Sequence, residues 1–303
     1  MSRSIGSYQF TSFLGSGSFG GVWECQHMTT GESFACKVID LDLCLQDDFL
    51  PHFKNELTIH SRIRHPSITQ LRDVLLDQDN VYIILELCDG GDLNEIVQDA
   101  NGLDEPAAKH YFYEIISALS YIHKLGIAHR DIKLENVLIT QDDHAKLTDF
   151  GLCKQGDGSS PMMTTCGTLV YAAPEIIEEK PYDGTKVDIW SAGIVLYAMI
   201  TCHFPWATEE NLPPDKLMAE TARQIQDGEI DMPEDISYEL QNLLSNMLNI
   251  DPLQRPTAES ILQHPWFEGE EIDFPPESLE PDPNVVMLVQ SLIDDLEKRK
   301  NAL

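Results

Sequence analysis

The apolar residues of this 303-residue chain change their period partway along it, and that change limits the fold more than any other feature. The first ninety residues read as strands: "YQFTSFLG", "GGVWECQHM" and "SFACKVIDL" run in β-favouring residues with glycines between them. "LPHFKNELTIHSRIR" (50–64) interrupts them with helical spacing, and "VYIILELC" (81–88) reads as a buried strand. After "DGGDL" the period turns helical, over 104–125, 185–201, 216–227, 237–249 and 257–263. A strand-rich front followed by a helix-rich back predicts an α+β chain of two lobes. The length, above that of one average domain, points the same way.

Beyond Phe267, "EGEEIDFPPESLEPDP" is acidic and proline-rich and reads as a tail rather than a packed element. The last stretch, "NVVMLVQSLIDDLEKRK", sets Val285, Leu288, Val289, Leu292 and Leu296 on one helical face. It ends in basic residues, as the helix dipole favours. We expect this 284–300 helix to dock on the helical lobe or to hold a partner.

Composition narrows the setting. With 51 acids against 20 bases the net charge is −31, which repels nucleic acid and anionic membrane and steers basic partners inward. Solubility alone is the plainer explanation of such a surface. Seven cysteines, an odd number with no C-x-x-C spacing, suggest neither a zinc site nor a disulfide framework. They fit a reducing cytoplasm, with the nucleus as the other compatible setting. "MSRSIGSYQF" lacks the apolar stretch of a signal peptide, and "IWSAGIVLYAMIT" (189–201) is shorter than the roughly 20 residues a membrane span needs. It reads as a buried core helix.

The chemistry concentrates in four short stretches. "GSGSFGGV" (15–22) places Gly15, Gly17 and Gly20 between two strands, where amide N–H groups can approach an anion with no Cβ in the way. Alone this pattern fits a plain glycine-rich hairpin equally well. A dinucleotide site would need a helix next, but "VWECQHM" reads as strand. Lys37, in "FACKVI", needs a counter-charge if its head is buried; Glu56, on the inward face of the following helix, is the first candidate and phosphate oxygens the second. A strand-edge lysine with its head in water is the plain alternative.

"HRDIKLENVLIT" (129–140) crowds His129, Arg130, Asp131, Lys133, Glu135 and Asn136 just before an apolar run. "TDFG" (148–151) adds Asp149, one hairpin-like unit further on. A magnesium ion bridging phosphates takes one or two carboxylates plus an amide or water, and Asp149 and Asn136 supply them. Asp131 is then left to accept a proton from an attacking hydroxyl, and Lys133 to offset the transferring charge.

Taken in order, these stretches resemble those of eukaryotic protein kinases, over about residues 8–267. The marks are "GSGSFGGV", "ACK", Glu56, "HRDIKLEN", "DFG", "AAPE" (172–175), "DIWSAGIVLY" with Asp188, and "RPTAESILQHPWF" with Arg255. The resemblance implies a two-lobed protein kinase fold, with a small β-rich N-lobe carrying one main helix and a larger helical C-lobe. It implies an N-terminal extension at 1–7, the N-lobe and hinge at 8–88, the C-lobe at 89–267 and the tail at 268–303. The cofactors implied are ATP and Mg2+. The adenine would meet the backbone of the hinge, Glu86 to Cys88, with Val22, Ala35, Leu85 and Leu138 lining its cleft. Glu175 would pair with Arg255, and His60 would pack as a core histidine between Leu71 and Phe150.

Lys133 two residues after Asp131, together with Thr168, implies a serine/threonine enzyme. "HRDIKLEN", "YAAPE" and "HPWF" are similar to the calcium/calmodulin-dependent and AMP-activated kinase group, although Leu169 stands where that group usually shows proline. Asp92 and Glu135 match positions that hold an upstream arginine, which implies protein substrates with basic residues near the phosphoacceptor. Their plain roles are a helix-start charge and a surface acid. Arg130 before Asp131 implies activation by phosphorylation of the loop 152–168 at Thr164, by an upstream kinase, with Arg130, Lys154 and His52 receiving the phosphate. Thr165 as the modified residue, or Asp157 already neutralising those bases, are the alternatives. Two rivals remain from the sequence: a catalytically silent scaffold, and a small-molecule kinase. "CGTLVYAAPE" has the form of a peptide-docking segment and disfavours the second.

Overall fold

The computed structural model describes residues 3–17, 20–150, 154–155, 169–206, 214–228, 230–269 and 280–302. The chain divides into two compact units, one made of Met1–Gly90, Phe150–Leu152 and Pro275–Leu303, the other of Gly91–Asp149 and Cys153–Phe274.

The first unit is built on a six-stranded antiparallel sheet: β1 (Ser4–Ile5), β2 (Tyr8–Gly17), β3 (Gly20–His27), β4 (Ser33–Asp40), β5 (Leu71–Leu76) and β6 (Asn80–Glu86). Their order is β1-β2-β3-β4-β6-β5. Asp40 closes β4 and caps the short helix α1 (Leu41–Cys44), accepting from the amides of Asp42 and Leu43. The main helix of this unit, α2 (Leu50–His60), begins with Pro51 in its first turn, where a missing N–H costs nothing. Leu50, Phe53 and Leu57 form its buried stripe at helical spacing, and Glu56 and His60 lie on the same side.

The second unit is mostly helical. Among the described residues five of its α-helices open on a side-chain cap that the sequence supplies. Asp92 caps α3 (Leu93–Ala100) and Asp104 caps α4 (Glu105–Lys124). Further along come β7 (Ile127–Ala128), β8 (Val137–Ile139), β9 (Ala145–Leu147), β10 (Lys154–Gln155) and α5 (Pro174–Ile177). Asp183 caps α6 (Gly184–Thr201), which is buried on every side from Val187 to Met199, as its unbroken apolar run predicts. After α7 (Pro214–Asp227), Ser237 caps α8 (Tyr238–Met247). Thr257 and Ser260 form a reciprocal capping box at α9 (Ala258–Ile261). Helix α3 was not among the expected helical stretches, although Leu93, Ile96 and Val97 have the spacing for it. Among the described residues no helix is long and apolar enough to cross a membrane.

The last helix, α10 (Pro283–Ala302), corrects the expectation for the tail. It packs in the first unit, not on the helical lobe. Val285, Val289, Leu292, Ile293 and Leu296 join one core cluster with Phe53 and Leu57 of α2 and Leu71 and Val74 of β5. Each such side chain contributes about 1.5–3 kcal/mol by leaving water, before its entropy cost. The buried stripe is rotated from the expected one: Ile293 is inside and Leu288 is 42% exposed. At the rim Lys54 pairs with Glu297, and Lys300 Nζ lies 2.6 Å from Asp47 Oδ1. Such exposed pairs add little, so the apolar face does most of the docking.

A second buried link organises the helical unit. Arg255, 2% exposed, forms a two-pronged bond to Glu175, at 2.6 Å and 2.8 Å. Its Nε donates to the Asn249 carbonyl at 2.8 Å, and its guanidinium lies 4.9 Å from the centre of the Trp190 ring. The pairing expected of Glu175 and Arg255 is therefore present.

Candidate active site

In the first unit the expected nucleotide residues fall on one face of the sheet. Strand register places Val22 opposite Lys37, Lys37 opposite Ile83, and Ala35 opposite Leu85. Opposite residues, and residues two apart, share a face. Val22, Ala35, Lys37 and Leu85 therefore point the same way. β2 and β3 approach their turn with Gly15 opposite Val22 and Gly17 opposite Gly20. Gly20 lies so close to β4 that a Cβ there would sit 1.8 Å from the carbonyl oxygen of Val38, which excludes any larger residue in this position of the loop. Glu86 ends β6, and its amide donates to the Gln70 carbonyl at 2.9 Å. Cys88 follows, two residues before the unit ends at Gly90.

Lys37 and Glu56 are both buried, and Lys37 Nζ lies 3.9 Å from Glu56 Oε1. This is an ion pair at the long limit of the range. His60, one turn further along α2, is a satisfied core histidine. Its Nε2 bonds the Thr69 carbonyl at 2.7 Å and its ring lies 5.0 Å from that of Phe150. The buried thiols nearby are shielded: burial first, then Asp40 and Glu56, push the Cys44 thiol up to about 12.

In the second unit the loop after β7 is held by one buried carboxylate. Asp188, on α6, accepts from the amide of His129 at 2.8 Å and from that of Arg130 at 2.7 Å. His123 Nε2 bonds the same carboxylate at 2.8 Å. These bonds fix Arg130 in the left-handed region, at φ 68°. His129 Nε2 meets the Thr148 carbonyl at 3.1 Å, and its Nδ1 accepts from the Asp131 amide at 3.4 Å. Both contacts are met by the tautomer with its proton on Nε2.

Asp131 itself is held from two sides. Its Oδ2 accepts from Lys133 Nζ and from Asn136 Nδ2, each at 2.8 Å, and Asn136 Nδ2 also donates to its main-chain carbonyl at 2.8 Å. Among the described residues Oδ1 accepts no further bond. β8 and β9 pair antiparallel with Val137 opposite Leu147, and the Thr148 amide donates to the Asn136 carbonyl at 3.0 Å. Asn136 and Asp149 thus emerge at the same end of one hairpin, and Asp149 takes a left-handed φ of 61°. Leu138 is joined to Asp92 by an isolated β-bridge.

The remaining expected residues divide. Asp92 Oδ1 is engaged as the cap of α3, accepting from the Glu95 amide at 2.9 Å, so its plain role is met. Glu135 is exposed, and Tyr171 approaches it at 3.4 Å. Burial first, and then Glu135, raise the Tyr171 hydroxyl well above its ordinary value. His52 is exposed on α2, and Lys154 on β10 pairs with Ala128. Arg130 packs over Tyr182 at 5.4 Å; its Nε is buried and has no partner among the described residues. Thr164, Thr165 and Thr168 lie outside the described residues.

Sequence reasoning used Asp188 only as a mark and missed what it does. Three bonds to it, from residues about sixty positions earlier, have no local signal. The closeness of Gly184 to Arg130 was missed as well. A Cβ at Gly184 would come within 3.1 Å of Arg130 Nε and 2.7 Å of Ala128 Cβ.

A sheet-bearing unit with a buried Lys–Glu pair, and a helical unit that presents aspartate, lysine, asparagine and aspartate around one hairpin, define a phosphotransferase of the protein kinase type. The family model described as Protein kinase domain matches residues 8–267, and the chain belongs to that family, in its serine/threonine class. It is 35% identical over 266 residues to CBL-interacting protein kinase 5 of Oryza sativa subsp. japonica, covering 86% of this chain and 56% of that one. It is 38% identical over 270 residues to the hormonally up-regulated neu tumor-associated kinase of Mus musculus, covering 88% and 37%. With maternal embryonic leucine zipper kinase of Xenopus tropicalis it shares 37% over 262 residues, covering 86% and 39%. These relatives bear out the resemblance to the calcium/calmodulin-dependent and AMP-activated group. The chain spans little more than half the length of the first of them and under two fifths of the other two.

Proposed function

We propose that this chain transfers the γ-phosphoryl group of ATP to serine or threonine hydroxyls of protein substrates. The observation that carries the proposal is the constraint on Asp131. Two cationic or amide donors hold Oδ2, which leaves Oδ1 to accept the proton of an incoming hydroxyl. The hydroxyl oxygen forms its bond to the γ-phosphorus as the bond to the β-bridging oxygen breaks, and ADP leaves. Lys133 offsets charge on the transferring group, and Lys37, steadied by Glu56, takes the phosphates of the nucleotide.

The residues fit the divalent ion that the family implies. Asn136 spends its NH2 group on Asp131, so its carbonyl oxygen is the end left for a hard cation, beside the carboxylate of Asp149. When bound, Mg2+ supplies charge neutralisation between phosphates.

Two finer readings follow. Exposed Glu135 and the charge of −31 support substrates with arginine or lysine near the phosphoacceptor; Asp92, one oxygen occupied in its cap, contributes less. The buried Nε of Arg130, without a partner among the described residues, supports phosphorylation of Thr164 by an upstream kinase. The scaffold reading gains no support, since Lys37, Asp131, Asn136 and Asp149 are all present.

Phosphate transfer from Mg-ATP to an arginine-rich and to an acidic peptide tests this reading. The arginine-rich peptide should be preferred, and Lys37→Met or Asp149→Asn should abolish transfer with the melting temperature unchanged. Either variant working near the wild-type rate contradicts the assignment.

A further inference from the structure

The turn between β8 and β9 meets α4 at a cluster that the kinase reading does not use. His110 and Glu114 are four residues apart on α4, so they share one face of the helix. His144, from the turn, comes over them. One ligand atom from each of the three side chains lies within 4.8 Å of the others. From this geometry we infer a binding site for a borderline transition-metal ion of the Zn2+ kind.

The chemistry of the three groups suits such an ion. Two imidazoles and one carboxylate form a donor set that zinc takes with a fourth position left for water. Cysteine plays no part, so the odd cysteine count has no bearing on it. Glu114 is the fixed member: it is 2% exposed and its Oε2 is held by the Ala145 amide. Its Oε1 accepts a bond from His144 Nδ1 at 2.7 Å. A buried carboxylate so placed favours a cation beside it, which zinc would supply, the hydrogen-bond proton between His144 and Glu114 passing to solvent.

The two histidines are the adjustable members. His144 has a side chain 54% exposed, and His110 is half-buried on the helix surface. Zinc–nitrogen bonds are about 2.0–2.1 Å, so the imidazoles must close by about an ångström or more, which exposed rings can do by rotation. The backbone that carries them is already braced. Tyr111 OH donates to Asp143 Oδ1 at 2.5 Å and His110 Nε2 meets the Asp143 carbonyl at 2.8 Å, while Asp143 itself is left-handed, at φ 64°. Asp142 and Asp143 are exposed beside the site and add to its negative field. The ion would clamp α4 to the hairpin whose other end carries Asn136 and Asp149.

The test uses the full chain, stripped with a chelator and dialysed against trace Zn2+ in excess Mg2+, followed by metal analysis. Wild type and the transfer-dead Asp149→Asn should each retain one equivalent of zinc. His110→Ala and His144→Asn, both surface changes outside the catalytic machinery, should weaken binding by at least about tenfold. Their phosphate transfer in Mg-ATP alone should equal wild type. Cobalt in place of zinc should give the visible absorption of a tetrahedral site in wild type and not in either histidine variant. Zinc retained equally by the histidine variants, or no zinc retained by wild type, overturns the inference.

Discussion

The two units hold their functional side chains in different ways. In the helical unit the key groups are locked by short hydrogen bonds: Asp188 fixes the backbone at His129 and Arg130, and Asn136 and Lys133 fix Asp131. In the sheet-bearing unit the corresponding link, Lys37 to Glu56, is a 3.9 Å pair. The helix carrying Glu56 is positioned by apolar packing, much of it against α10. Hydrogen-bonded loops have one good geometry, whereas packed helix faces can slide and rotate at smaller cost. The loop around Asp131 is therefore held in one geometry, and within the sheet-bearing unit α2 is the element whose position can be tuned.

Breaking the helical unit's deepest link should cost most. Arg255→Ala strips Glu175 of its partner inside the protein, and a broken buried pair costs about 3–5 kcal/mol. Thermal or urea melting should show that loss in the helical unit; a change under about 1 kcal/mol, the worth of an exposed pair, would mean that the link is idle.

The sheet-bearing unit should fail through packing. Leu296→Ala should destabilise it by about 2–5 kcal/mol. Amide exchange along α2 should quicken, and phosphate transfer should fall as Glu56 loses its place. Unchanged protection of α2 would show that α10 merely covers it.

Asp188→Asn sharpens the comparison. The amide keeps one acceptor, so one of the two loop amides is left without its partner, at about 1–3 kcal/mol. Transfer should drop while exchange along α2 stays as in wild type. Faster exchange in α2 would remove the distinction drawn between the two units.

The smallest effect concerns pH. Burial would raise the Glu105 carboxyl, but bonds from the Ser237 amide, Trp266 Nε1 and the Ser237 hydroxyl outweigh it and hold the group below its ordinary 4.5. A depressed carboxyl stabilises the folded chain above its unfolded value and loses that contribution as pH falls through the folded one. Glu105→Gln should therefore melt earlier than wild type near neutrality, and the gap should close on acidification below about 4.5. A gap that does not depend on pH would mean that the charge contributes nothing.

Much of the site was legible because its chemistry fixes residue types within short stretches. Asp131, Lys133 and Asn136 lie within six residues, and one hairpin brings Asp149 back beside them. Lys37 was legible for a different reason: a cation in an apolar strand demands a partner, and α2 offered Glu56. What was not legible depends on which surfaces meet. The apolar stripe of α10 announces a buried face without saying against what, so its place on α2 and β5 was missed. Helix α3 was overlooked because eight residues carry little periodicity, although its cap was noticed as a charge. The His110–Glu114–His144 cluster joins a helix to a turn thirty residues later, and no local pattern links them.

The most direct test of the account is Asp131→Asn, with nucleotide affinity and phosphate transfer measured on the same preparation. The substitution keeps a side chain of similar shape in the helical unit's locked loop, so nucleotide affinity and melting should match wild type. Transfer should fall by about 10²–10⁴-fold, the usual worth of a positioned general base. Transfer within a few-fold of wild type, with affinity unchanged, would contradict the role given to Asp131.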